Sequence, residues 1–142
     1  MTDEGARRLS FIYWQEVRRS TAGLVRVHDR RGGPALRILG AGPALLRFGP
    51  PQLTVGEGGA RCAHSIDGGL LCRRPGGSIW FEQRTEGAGA RLTSGIAGFH
   101  PRLAAQPGAP AWTGELYKRV QSRLHVAVAR RYFARLVREA GR

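Results

Sequence analysis

Cys62, His64 and Cys72 are the residues whose types and spacing come closest to a chemical constellation. Cys62, His64 and Ile66 alternate with Arg61, Ala63 and Ser65, so on a strand they share one face. That places an imidazole among apolar neighbours, where it can orient a ligand or act as a base. Cys72 lies beyond the turn signal Asp67-Gly68-Gly69. A hairpin there would bring the two cysteines close to opposite positions on neighbouring strands. The N-terminal stretch has early acids and no clean apolar core, so no export signal is expected, and both thiols are read as reduced, buried, small apolar residues. A metal site is not expected, because no fourth ligand stands at a recognisable spacing. The remaining histidines, His28, His100 and His125, are dispersed; His100, in a Pro-flanked connector, is placed to sit at a pocket mouth. Neither His64 nor His100 has a carboxylate partner in sequence, so acid–base catalysis lacks its second member.

Familiar catalytic signatures fail on inspection. Gly40-Ala41-Gly42-Pro43 opens like a dinucleotide loop but lacks the third glycine and a following helix. A phosphate-binding loop of the Walker type is excluded, since Lys118 is the only lysine and falls in the C-terminal segment. Ser94 follows Leu92 by two positions, which is not a nucleophile elbow. The chain holds only 10 acidic residues, and this disfavours hydrolases built on carboxylate pairs. Binding is therefore expected rather than catalysis, with no cofactor.

The elements that must position these groups fall into two kinds. From residue 30 to 89, Gly- and Pro-rich turn signals recur every few residues, and Gly and Pro at that density break helices. Between them lie short alternating runs: Leu53 and Val55, Cys62 to Ile66, Ile79 and Phe81, Leu92 and Ile96. Upstream, 9–17 is aromatic and β-branched, and its apolar positions do not settle on one helical face, which favours a strand; 24–27 reads as another. About eight strands result, a number able to close or curl strongly. From 113 to 139 there is no Pro and, after Gly114, no Gly. Thr113 suits an N-cap, Trp112 can staple onto Tyr117, Arg138 falls in the last turn and Gly141 follows, so one long helix is expected.

That helix carries two apolar faces. Leu116, Tyr117, Val120, Leu124 and Val128 share one side of the first half, whereas Tyr132, Phe133, Leu136 and Val137 lie roughly opposite in the second. A straight helix on one sheet would keep one stripe. Either the helix kinks, or its second half packs on another body: the N-terminal segment, a second protomer or a membrane surface. A homodimer with this half as its interface follows as one alternative.

The 142 residues suit a single domain, β-rich over 9–99, with a connector over 100–112 and the helix over 113–139. Lys plus Arg exceed Asp plus Glu by 13, and no apolar run approaches membrane-spanning length, so a cytoplasmic protein is expected. The excess positive charge draws the chain towards polyanions. Arg119, Arg123, Arg130, Arg131, Arg135 and Arg138 offer phosphate contacts around the helix, and a second alternative is sequence-indifferent binding of nucleic acid or an acidic partner.

The segment 66–83, IDGGLLCRRPGGSIWFEQ, followed by the helix over 116–137, resembles the helix-grip ligand-binding superfamily of START and polyketide-cyclase-like domains in layout. The resemblance implies a cavity for an apolar small molecule. The expected architecture is α+β: a strongly curved antiparallel sheet or barrel against one long C-terminal helix. The leading expectation for function is non-catalytic binding of a hydrophobic or aromatic small molecule between sheet and helix. Tyr13, Trp80 and Tyr117 would supply apolar contact, and His64 and His100 would orient polar groups.

Overall fold

The computed structural model describes residues 2–30, 32–102 and 111–140, with side chains there except those of Arg30 and 111–122. Helix α1 (Asp3–Ser20) is followed by strands β1 (Val25–Arg30), β2 (Gly33–Ile38), β3 (Leu46–Phe48), β4 (Gln52–Gly56), β5 (Gly59–Gly68), β6 (Ser78–Glu86) and β7 (Gly89–Ala97), then helix α2 (Ala111–Ala140). The architecture is α+β, with every strand pairing antiparallel.

The strands form one seven-stranded sheet in the order β1-β2-β3-β5-β6-β7, with β4 also on β5. Its ends, β1 and β7, are edges, so the sheet is open. The bend has an identifiable source. Gly49-Pro50-Pro51 divides what would be one strand into β3 and β4, which take successive stretches of the same edge of β5. Proline has no N–H to give a ladder, and the register also shifts between Arg47 and Phe48. The ten-residue β5 thus spans both halves of the sheet, and its even-numbered side chains from Ala60 to Ile66 face the core. One close approach requires glycine: at Gly33 φ is +111°, and a Cβ would collide with the Phe48 and Gly49 backbone.

The expected strand over 9–17 is instead the heart of α1, so the β-rich part begins at Val25; β2 and β3, for which no residues were singled out, bring the strands to seven against about eight expected. Helix signals are present at both ends. Thr2 caps the N-terminus by accepting from Gly5 N–H at 3.1 Å, Asp3 and Glu4 lie in the first turn, and Arg18 and Arg19 in the last. The buried residues Ala6, Leu9, Tyr13 and Val17 recur at spacings of three and four, flanked by Ser10, Ile12, Trp14 and Glu16, so they form one broad helical face, while Arg7, Arg8, Phe11, Arg18 and Arg19 stay exposed. Aromatic and β-branched residues tolerate a helix when tertiary packing surrounds them.

Helix α2 runs from two residues before Thr113, which therefore lies within its first turn; at about 1.5 Å per residue it is about 45 Å long. The body that its second half meets is α1. Val128 and Tyr132 are buried, Phe133 and Leu136 pack against the core, and Val137 stays exposed. Tyr132, Phe133 and Leu136 of that apolar set are thus used within the chain. The core is a ring cluster in which Tyr13 lies 4.8 Å from Phe81, 5.2 Å from Trp14 and 5.7 Å from Tyr132, centroid to centroid. Tyr132 in turn lies 5.8 Å from Phe81, which joins α2 to the sheet.

Among the described residues, Ser20 Oγ is the buried side-chain polar atom left without a hydrogen-bond partner. Burial of an unpaired hydroxyl opposes folding, and alanine is the better helix former. Ser20→Ala is accordingly expected to raise unfolding free energy by about 0.5–1 kcal/mol, read from urea midpoints. A loss of stability would mean that the hydroxyl has a partner.

Candidate functional site

A half-open cleft that reaches His64 lies beside α1. Arg7, Phe11, Trp14 and Arg18 follow one another at spacings of four, three and four residues, so they form one stripe along the helix. This stripe faces Val27 and Asp29 of β1, Pro34 of β2, Pro51 ahead of β4 and His64 of β5, around a cleft of about 410 Å³. Phe11 is 59% exposed at its rim, while Trp14 is buried and forms its wall. Apolar rings and prolines supply the sides, and the Arg7 and Arg18 guanidinium groups belong to residues about 16 Å apart along the helix axis.

The floor is polar but quiet. His64 is buried, and its Nδ1 lies 2.9 Å from the Gly49 carbonyl oxygen. A carbonyl only accepts, so Nδ1 carries the proton, and Nε2 turns its lone pair towards the Cys62 thiol 3.7 Å away. Desolvation lowers the His64 pKa, against smaller upward pulls from the Gly49 carbonyl and Asp29. Burial pushes the Cys62 thiol up, against smaller downward pulls from a Ser10 hydrogen bond and the Arg7 charge. Both directions favour the neutral pair, which leaves imidazole and thiol in forms suited to hydrogen bonding.

These directions have a signed consequence. A histidine held below its ordinary 6.5 contributes stability in full above that pH, and loses it as pH falls towards the lower folded value. A thiol held above its ordinary 9.0 contributes in full below that pH and loses it as pH rises. Urea midpoints are expected to be level between these limits and to decline on either side. His64→Gln should flatten the limb just below 6.5; an unchanged limb would assign it to another group.

The residues singled out from sequence are dispersed. His64 reaches the cleft. Tyr13 lies one layer deeper, buried in the ring cluster, where burial pushes its phenol up to about 12. It borders a separate apolar void of about 90 Å³ between α1 and the sheet. Trp80 stands on the opposite face of the sheet: Ile79 and Phe81 turn inward and Trp80 turns out, over Gly95 and 4.8 Å beneath the Arg61 guanidinium. His100 sits beyond β7, 3.4 Å from Arg74 Nη2, away from the cleft. The side chains of Tyr117 and Arg119, and the Trp112 to Tyr117 staple, lie outside the described residues.

Of the helix arginines, Arg123, Arg130, Arg131 and Arg138 are exposed. Arg135 is engaged within the chain, donating to Gln15 at 2.6 Å, Glu139 at 2.9 Å and Glu16 at 3.2 Å. The two cysteines are free and do not oppose each other: Cys62 pairs with Leu53 and Phe81, whereas Cys72 bridges to Pro101. The connection from β5 to β6 is too long to be a tight hairpin, so the expected facing of Cys62 and Cys72 does not arise. No group of three or more His, Cys, Asp or Glu suited to a metal occurs among the described residues.

Sequence reasoning missed Arg7, Phe11, Trp14 and Arg18 as a set, because a strand assignment scatters them over two faces. The N-terminal cap and the two terminal charge pairs of α1 were the signals that could have found them. No helix among the described residues is long and apolar enough to cross a membrane. Comparison with protein-family models, curated proteins and solved structures finds no match.

Proposed function

We propose that this protein binds a hydrophobic or aromatic small molecule, without transforming it, in the cleft between α1 and strands β1, β2 and β5. The observation that carries this reading is the cleft itself: about 410 Å³, walled by Phe11, Trp14, Val27 and two prolines, with polar groups at a few points. That volume falls within the roughly 300–1,000 Å³ of small-molecule sites. A helix-grip layout would place the ligand between sheet and C-terminal helix. Here the described part of α2 meets the core through Val128 and Tyr132, both buried, so the cleft beside α1 is the better-supported location. His64 orients a polar group of the ligand, and Arg7 attracts a negative one. The Cys62 and His64 pair, kept neutral and buried, supports binding rather than nucleophilic catalysis.

An anilinonaphthalene sulfonate dye combines an aromatic body with an anion and serves as the probe. Saturable binding at one site is expected, with energy transfer from Trp14 to the dye. Phe11→Ala and Arg7→Ala change exposed side chains and should each weaken binding about five- to tenfold, equivalent to roughly 1–1.4 kcal/mol. Non-saturating fluorescence, or affinity unchanged in both variants, would refute the reading.

A second reading, polyanion binding through α2, keeps Arg123, Arg130, Arg131 and Arg138 as exposed contacts, while Arg135 is held by Glu16 and Glu139. Loss of oligonucleotide binding in Arg130→Ala/Arg131→Ala would favour it.

A further inference from the structure

We propose that the sheet face turned away from the helices binds single-stranded nucleic acid, with Arg26, Arg37 and Arg47 on phosphates and Trp80 beside a base. Strand alternation decides the orientation. Val27, Leu36, Leu46 and Phe48 pack against the core, so the intervening Arg26, Arg37 and Arg47 project to the other side. Arg26 stands directly across from Arg37 in the β1–β2 register, an arrangement that opposes pairing. No acid in these three strands relieves it: the only carboxylate in β1, β2 or β3 is Asp29, which lines the cleft, while Asp67 and Glu82 stand further along this face and are engaged by Ser65 and Arg84.

The β6–β7 end of the same face differs. Arg84 and Arg91 also stand opposite each other, but Arg84 pairs with Glu82 at 2.8 Å and Arg91 with Glu86 at 2.7 Å. Among the described residues, Arg26, Arg37 and Arg47 pair with no carboxylate. A concentration of unneutralised guanidinium groups in a chain of net charge +13 calls for an anionic partner.

Trp80 decides which partner. It lies two strands from Arg47, about 10 Å across the sheet and about 17 Å along it, since Trp80 registers with Ala63 and Arg47 with Gly68 of β5, and the Arg61 guanidinium is 4.8 Å from its ring centroid. Indole and guanidinium planes both stack unpaired bases, and a duplex keeps its bases inaccessible to them. The outward positions of β1, β2 and β3 hold no large aliphatic side chain for insertion into lipid.

Fluorescence anisotropy with a labelled oligothymidylate of about 15 nucleotides tests this surface. Binding is expected at low salt and should weaken steeply between about 50 and 200 mM salt. Arg26→Ala/Arg37→Ala should weaken it about tenfold or more and reduce the log–log salt slope by about 1.4, two phosphate contacts' worth. The same variant removes a repulsion, so its melting temperature should hold or rise, which separates lost binding from lost folding. Trp80→Ala should weaken binding about fivefold or more, with partial rescue by Trp80→Phe. Arg130→Ala/Arg131→Ala on α2 should leave affinity within about twofold. The proposal is overturned by absence of binding at low salt, by preference for duplex, by binding to anionic vesicles alone, or by equal losses from the α2 variant.

Discussion

Tyr132→Ala is expected to cost roughly 3–5 kcal/mol, the range for deleting a large buried aromatic ring. Tyr132 is 1% exposed and is the residue through which α2 touches both other layers, with Tyr13 of α1 and Phe81 of β6 each within 6 Å of its ring centroid. Truncation removes those contacts together with the edge-on packing they provide. Against a total stability of about 5–15 kcal/mol for an ordinary domain, such a loss is large. The urea midpoint should fall, and backbone amides of 128–139 should lose hydrogen-exchange protection ahead of the strands. Tyr132→Phe keeps the ring and should recover most of the loss. A loss below about 1 kcal/mol in the alanine variant would show that α2 rests on the body without being held by it.

Arg135→Ala should produce the next largest effect, about 2–3 kcal/mol. Glu16 is 4% exposed, and its Oε1 accepts from Arg19 at 2.8 Å and from Arg135 at 3.2 Å. Arg135 also donates to Gln15 and Glu139, and Glu139 accepts from Arg8, so one guanidinium ties α1 to α2. Without it, Glu16 keeps only the largely exposed Arg19 as a cationic partner, and leaving a buried carboxylate underpaired is the costly step. The figure is below that for a fully buried pair because the Arg135 side chain is 20% exposed. Arg135→Lys should recover only part, since an ammonium cannot reproduce the planar fork. Arg8→Ala removes an exposed partner and should cost at most about 1 kcal/mol.

The same latch has an acid limb. Hydrogen bonds from Arg8 and then Arg135 hold the Glu139 carboxyl below its ordinary 4.5. Its contribution is therefore complete above that pH and is lost as pH falls through the depressed value. In Arg135→Ala this limb should shrink; an unchanged limb would place the acid sensitivity elsewhere.

Much of this architecture was legible in the residues. Alternation at Leu53 and Val55, from Cys62 to Ile66, at Ile79 and Phe81 and from Leu92 to Ile96 marked β4 to β7, because a sheet with one covered face imposes a period of two. The long stretch free of Pro, and of Gly after Gly114, marked α2, and its two apolar faces left a kink or a second body open, of which α1 is the body found. The candidate site was far less legible. Only His64 was placed where a ligand cleft lies, and Arg7, Phe11, Trp14 and Arg18 were hidden by reading aromatic, β-branched composition as strand.

Local sequence thus determined β1, β4 to β7, the terminal helix and the positive charge, since each follows from neighbours in the chain or from a count. Tertiary structure decided which arginines are engaged and which stand opposed, and where the cleft lies, whereas 3–20 carries helix signals of its own that the strand reading passed over. The helical period at Ala6, Leu9, Tyr13 and Val17 is present in the chain, but the aromatic and β-branched residues between 9 and 17 mask it. The facing of Arg26 and Arg37 follows from strand register, and the burial of Glu16 beneath Arg135 joins positions 119 residues apart. Such contacts depend on how distant segments pack, which no local pattern encodes.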